Sequence, residues 1–251
     1  MEVEIEKNEM ATTGQELYHG VGRDHWWLTG KYEIIIAFFR DFRVPRSLVL
    51  DVGCGPGNLM EQIILSEPFI SVVGIDLAIR GLEYAKTTGE KNLVQADMIQ
   101  APLKTATFDF VFAVDIFEHV ADDTRLCGEI FRVLKPGGRA LLVVPAHPIL
   151  WGEHDDRFGH FRRYYLRDFR QLLSLSGFII LKLTYMQFFF YLPLLFFRKV
   201  KNLSRSKTQD FFPFPKALNR LLHHIVAAEY YLLRRLNLPI GTNVLCIVEK
   251  P

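Results

Sequence analysis

The residues best placed to do chemistry are Asp51-Val52-Gly53-Cys54-Gly55-Pro56-Gly57, directly after the apolar run Ser47-Leu48-Val49-Leu50. Glycine removes the Cβ at such a turn, so a ligand can approach the main chain, and the loop is expected to aim amide N–H groups outward. Two standard nucleotide loops do not fit. The fingerprint G-x-G-x-x-G needs glycine where Asn58 stands, and this loop lacks the G-x-x-x-x-G-K-[ST] pattern. Further acids follow at Asp76, nineteen residues beyond Gly57, and at Asp97. The first spacing is close to the ~20 residues at which an acid meets ribose hydroxyls in dinucleotide folds. A carboxylate accepts both hydroxyls at once and disfavours a 2′-phosphate. Each acid taken singly reads more readily as a strand-end or turn carboxylate that caps the next helix.

Strands and helices must alternate to hold these groups at one end of a sheet. The glycine loop leads into Asn58-Leu59-Met60-Glu61-Gln62-Ile63-Ile64, a helical pattern, so the segment reads as strand, tight turn, helix. Ser71–Ile75 is a strand ending at Asp76, and residues 78–88 are helical with Ile79, Leu82 and Ala85 on one face. Leu93–Ala96 is a third strand. Residues 108–114 form an apolar run broken only by Asp109, as expected for a central strand buried on both faces. A helix over 122–134 stops at Lys135-Pro136-Gly137-Gly138, a fifth strand covers 139–144, a helix covers 166–176, and a sixth strand covers 178–183. Residues 243–249 are the last strand. The pattern predicts an α/β fold with helices on both faces of a mostly parallel sheet. Ligands bind outside the carboxyl ends of strands in such sheets, where Asp51, Asp76 and Asp97 fall.

The spacing D-x-G-x-G-x-G resembles the cofactor site of class I methyltransferases that use S-adenosylmethionine (SAM), of the methyltransferase type 11/12 kind. The segments Phe108–Asp115, Glu118-His119-Val120 and Leu134–Gly138 resemble the same family, and the likeness covers about residues 47–183. The resemblance implies a Rossmann-like seven-stranded sheet with the last strand antiparallel. It implies SAM as cofactor and S-adenosylhomocysteine as product. It gives Asp76 the ribose hydroxyls, with Leu77 beside it, and Asp97 the adenine amino group, with Met98 near the ring. Asp51 would brace the loop N–H groups of Gly53, Cys54, Gly55 and Gly57 and face the amino end of the methionine moiety. Val114, Asp115 and His119 would line the sulfonium side. From its place in the entry segment His25–Lys31, and not from the resemblance, Lys31 is expected to meet the SAM carboxylate.

Acceptor choice lies outside this shared core. His25-Trp26-Trp27-Leu28-Thr29-Gly30-Lys31 and the loop Leu150-Trp151-Gly152-Glu153-His154-Asp155…His160-Phe161-Arg162-Arg163-Tyr164 resemble a bacterial and archaeal subgroup of these enzymes. Methyl transfer asks mainly for positioning, of order 7–11 kcal/mol in well-oriented systems. A hydroxyl acceptor also profits from a general base, and His154, His160 and His147 are the candidates, with Asp155 to orient one of them. Arg162 and Arg163 would receive a phosphate or carboxylate, or else tether the loop with His160. His154, Asp155 and His160 match no standard metal spacing, so no metal is expected.

Residues 1–46 read as an N-terminal helical lid, with a helix over 24–43 carrying Trp26, Trp27, Ile34, Ile35, Phe38 and Phe39; the alternative is trim at the sheet edge. The core spans 47–184 plus 241–251. Residues 185–240 read as a helical insertion, its second half helical over 215–236. Within residues 183–197 lies an apolar, aromatic stretch too short for the ~20 residues of a spanning helix, followed by the basic cluster Arg198-Lys199…Lys201…Arg205…Lys207. Such a pairing suits a membrane interface, and residues 185–207 are the expected contact, or a core or lid helix with a solvated basic turn. The acceptor is therefore expected to be a small molecule or lipid-linked. A formal net charge of +2 gives no argument for nucleic acid. The cysteines Cys54, Cys127 and Cys246 suit a reducing, cytoplasmic setting, and the acidic N-terminus (Glu2, Glu4, Glu6, Glu9) does not read as a secretory signal. Against SAM-dependent O-methylation stand a SAM-binding scaffold without turnover and a nucleotide-dependent oxidoreductase, the latter disfavoured by Asn58.

Overall fold

Side chains alternate between the two faces along the central strands and build two cores, one on each face of a single sheet. The structure is a computed structural model that describes residues 25–43, 46–204 and 214–251, of residues 201–204 the backbone only. Glu2, Glu4, Glu6, Glu9, Asp24, Arg205 and Lys207 lie outside the described residues, as does the side chain of Lys201. The strands are β1 (Leu48–Val52), β2 (Ser71–Asp76), β3 (Leu93–Gln95), β4 (Phe108–Val114), β5 (Leu134–Pro145), β6 (Ile179–Met186) and β7 (Asn243–Glu249). They form one seven-stranded sheet in the order β3-β2-β1-β4-β5-β7-β6. β7 runs antiparallel to both of its neighbours, and the other pairings are parallel.

The described helices are α1 (Trp26–Phe42), α2 (Asn58–Ser66), α3 (Ile79–Thr87), α4 (Asp123–Val133), α5 (Glu153–Arg157), α6 (Leu166–Leu175), α7 (Tyr191–Ser204) and α8 (Lys216–Leu233). Val111, Ala113, Leu142 and Val144 point to the face covered by α4 and α6 through Leu126, Ile130, Phe169 and Leu173. Phe110, Phe112, Leu141 and Val143 point to the other face. That alternation is the period of two that a strand imposes.

The N-terminal helix is more than a lid over the ligand end. Ile34, Ile35, Phe38 and Phe39 recur at helical spacing and bury against the sheet. Phe39 meets Phe110 and Phe112 with ring centroids 4.8 and 5.1 Å apart. Only the first turns of α1 reach the ligand end of the sheet.

Three expectations about the elements need correction. Ile79 is solvent-exposed, whereas Leu82 and Ala85 are buried, so the apolar face of α3 begins one turn later. Lys135-Pro136-Gly137-Gly138 lies inside β5: Leu134 pairs with Phe108 and Arg139 with Phe110, and the residues between bulge out, Gly137 at φ 73°. β6 runs on to Met186, because the apolar stretch pairs with β7 as far as Asn243.

The chain leaves the sheet at Gln187 and returns at Thr242, whose N–H donates to the Met186 carbonyl at 3.0 Å. Glu229 of α8 accepts the Gln187 and Phe188 N–H groups at 2.6 and 3.0 Å, which fixes the turn that launches α7. Pro193 is tolerated there because it falls in the first turn of α7. α8 packs along α1: Tyr230 donates to Asp41 at 2.7 Å, and Gly30 sits so close to Val226 that a Cβ would come within 2.7 Å. None of the described helices is long and apolar enough to cross a membrane.

Candidate active site

At the carboxyl end of β1 the chain turns through Gly53, Gly55 and Gly57, all in the left-handed region. Gly53 has no alternative, since its φ is +71° and a Cβ would lie 2.8 Å from Ile116 Cδ1. The amide N–H groups of this loop do not aim outward. Gly53 and Cys54 donate to the Ile75 carbonyl, Gly57 donates to the Cys54 carbonyl, and Gly55 donates to Asp76 Oδ2 at 2.7 Å. Asp76 therefore does the bracing expected of Asp51, because β2 ends directly beside the loop. Burial raises the Asp76 carboxyl above its ordinary range, while the N–H groups of Ala78, Gly55 and Leu77 oppose that shift.

Asp51 is left with another task. It is buried, its Oδ2 has no hydrogen-bond partner, and burial followed by the charges of Asp76 and Glu90 pushes its pKa up to about 8. A buried carboxylate oxygen without a partner is what a ligand's ammonium group would satisfy. Leu77 and Asp76 are half-buried at the same rim. Asp97 accepts the Ile99 N–H at 3.1 Å and caps a short 3-10 turn (Met98–Gln100), so the capping role holds there, and Met98 is buried. Cys54 is buried, and burial raises its thiol well above the ordinary range.

A cavity of about 310 Å³ opens beside this loop, at the ends of β4, β5 and β7. Its floor is polar, with Lys31, Asp115, Glu118, His119, His160 and Arg163, and its mouth is apolar, with Trp26, Trp27, Phe190, Leu194, Phe197 and Phe214. The glycine loop and the cavity meet at Asp115-Ile116, since Ile116 lies against Gly53 while Asp115 lines the cavity. Asp115 forms an ion pair with the buried Lys31, so Lys31 is already matched by a carboxylate of the chain. Val114 ends β4 and packs into the core beneath.

Of the loop histidines, His154 and His160 line the cavity and His147 does not. The His147 ring stacks on Tyr185 at 4.6 Å, held there by the left-handed backbone (φ 55°) that follows β5. Asp155 is fully buried and orients His160, Nδ1 to Oδ1 at 2.8 Å. Arg163 Nε at 2.7 Å, Arg198 Nη1 at 3.1 Å and the Gly152 N–H at 2.8 Å also donate to Asp155. The hydrogen bond to His160 and the two guanidinium groups hold the Asp155 carboxyl below its ordinary range against the effect of burial. Burial pushes His119 down to about 4 and His154 down to about 3, so both rings are neutral near pH 7. Arg162 turns away and pairs with Asp123 at 2.8 Å, so only Arg163 of the pair faces the cavity.

Glu118 was not singled out from the sequence, although it sits beside His119 in a segment of the family pattern. It is buried, its Oε2 has no partner, and burial with the nearby Asp115 raises its pKa well above the ordinary range. Arg198 corrects the reading of a solvated or membrane-facing basic cluster, since it is buried and donates to Asp155 from inside α7. Nothing in the spacing of Phe190 and Phe214 ties them to residues 25–31.

A sheet of this order with a glycine loop after β1 and acids at the next strand ends is the class I methyltransferase fold. The family described as "Methyltransferase domain" matches residues 50–142. Phosphoethanolamine N-methyltransferase 2 of Caenorhabditis elegans is 28% identical over 186 residues, covering 69% of this chain and 41% of that protein. Curated relatives include both N- and O-methyltransferases, and the chain spans about two fifths to a half of the length of three of them. A chain of the complex containing the Haloferax volcanii Trm112 methyltransferase activator superposes with a TM-score of 0.65 at 17% identity, over 98% of both chains. Phosphoethanolamine N-methyltransferase 2 of Haemonchus contortus, solved in complex with S-adenosyl-L-methionine, gives 0.55 at 19% identity over 86% of this chain and 51% of that one. Residues 50–142 thus match a methyltransferase domain, and the chain has the fold of solved SAM-dependent methyltransferases.

Proposed function

We propose that the protein transfers a methyl group from SAM to a hydroxyl of a small-molecule or lipid-linked acceptor held in the cavity. One observation carries this reading: an aromatic mouth leads to a buried floor where Asp155 fixes His160, and that floor abuts the cofactor loop at Asp115. Bound SAM supplies an electrophilic methyl group on a sulfonium. The orphaned oxygen of Asp51 would meet its ammonium group, Asp76 its ribose hydroxyls, and Asp97 with Met98 its adenine.

The chain's own residues do the rest. With Nδ1–H donated to Asp155, His160 keeps a lone pair on its other ring nitrogen, which takes the acceptor's hydroxyl proton. Arg163 and Arg198 keep Asp155 ionised, so the tautomer is fixed. Neutral His119 and His154 put no like charge beside a cationic sulfonium. Trp26, Trp27 and Phe190 exclude water from the reacting atoms. The test couples binding to turnover: calorimetric titration of SAM and S-adenosylhomocysteine, then acceptor screening with His160→Gln. The variant is expected to keep SAM affinity and lose about 10²–10⁴-fold in turnover. Unchanged turnover would remove His160 as base, and SAM binding with no turnover on any acceptor would favour a binding scaffold.

The lipid-linked option rests on α7. Its inner face lines the cavity, and its outer side with the preceding turn exposes Phe188, Leu192, Phe196 and Val200, spaced by four residues, beside Lys199. An exposed apolar stripe flanked by lysine suits an anionic membrane surface. Sedimentation with anionic vesicles is expected to capture the wild type and to lose it for Leu192→Glu/Phe196→Glu. Equal recovery of both proteins in the supernatant would leave a freely diffusing acceptor as the reading.

A further inference from the structure

We propose that Glu118, His119 and His160 bind one divalent transition-metal cation at the floor of the cavity. One ligand atom from each lies within 4.8 Å of the other two. Around an ion with bonds of roughly 2.0–2.2 Å, ligands stand about 3–4 Å apart, so closing the site asks for about half an ångström of side-chain movement. Glu118 supplies the independent observation. Its Oε2 is buried in the cavity floor without a partner, an arrangement costly for a carboxyl that holds nothing.

The surroundings of both imidazoles are those of metal ligands. His160 gives one ring nitrogen to Asp155, and His119 is hydrogen-bonded to the main chain of Phe158. A ligating histidine typically has its second nitrogen held by a carboxylate or a backbone carbonyl, which leaves the first free for the ion. Lys31 and Arg163 stand nearby and would repel a cation, but each is matched by its own carboxylate, Asp115 and Asp155. Two nitrogens and one oxygen favour zinc, manganese or ferrous iron over calcium or magnesium.

This inference rests on the acceptor reading for its chemistry and changes one part of it. An acceptor hydroxyl on the ion would lose its proton to water more readily, and His160 would serve as a ligand rather than as the base. The experiment uses the full chain, stripped with chelator and titrated with Zn²⁺ or Mn²⁺ alone, with uptake counted by elemental analysis. One equivalent is expected, with at least tenfold weaker binding in Glu118→Gln and in His119→Ala and no change in His224→Ala. Glu118→Gln keeps the side-chain volume, and circular dichroism checks its fold. No uptake, or equal uptake by Glu118→Gln, overturns the site. SAM titrated in parallel separates the two readings: SAM binding without metal uptake sinks the metal site alone, and metal uptake without SAM binding sinks the methyltransferase reading alone.

Discussion

Replacing Asp155 by alanine is expected to cost about 3–5 kcal/mol of stability and to abolish turnover, read from the urea midpoint and a methyl-transfer assay. Asp155 is the common partner of His160, Arg163 and Arg198, and its removal strands two guanidinium groups in the interior. Arg163 joins the loop after β5 to the cavity floor, and Arg198 joins α7 to the same point. The loss would therefore loosen the cover as well as free the His160 tautomer. The pH dependence has a definite sign. A carboxyl held below its ordinary 3.8 stabilises the fold above that value, and the stabilisation is lost as the pH falls beneath it. Wild type should thus lose stability below about pH 4 more steeply than Asp155→Ala. A variant within 1 kcal/mol of wild type would show that the arginines find other partners.

Asp51→Asn should act in opposite directions on binding and on stability. Removing the buried carboxyl proposed to meet the ammonium group of SAM should cost about 2–5 kcal/mol of affinity, roughly 30- to 4000-fold in Kd by calorimetry. The free protein should become more stable at neutral pH. Between pH 3.8 and about 8 the unfolded chain has released the proton that folded Asp51 keeps, so stability falls as the pH rises across that window. Asparagine abolishes that fall, and the gain should appear as a higher Tm, about 2–4 °C per kcal/mol for a chain of this size. Loss of both affinity and stability would mean that Asp51 is a structural group.

The parts legible in the sequence are those governed by local pattern. β4 and β7 cover the residues expected of them, 108–114 and 243–249, because a strand buried on both faces carries a nearly unbroken apolar run. The glycine loop and the acids after β1 and β2 were readable for the same reason, since each sits next to its own strand. β5 was misjudged at its start because Pro136 and Gly137 look like a stop signal, whereas pairing with β4 on both sides of the bulge carries the strand through. The cavity was only half legible. His154, Asp155 and His160 come from one loop, but Trp26, Phe190 and Phe214 meet through packing across more than 160 positions, which no local pattern encodes. Glu118 escaped because its significance lies in an absent partner rather than in its spacing.

The cover of the cavity departs from the sheet and rejoins it at one point, where Thr242 bonds to Met186. A hairpin with touching ends accepts a long excursion cheaply, since loop-closure entropy grows only slowly with length. The strands that carry the cofactor loop therefore need not change when residues 187–242 are exchanged for another cassette. Ties to α1 limit that freedom, among them Val226 pressed into the notch left by Gly30 and the Trp26 N–H donated to Asn219 Oδ1 at 3.0 Å. A graft that moved the excursion alone would meet a foreign α1, so the transplantable unit is two-part, the opening helix together with its distant mate.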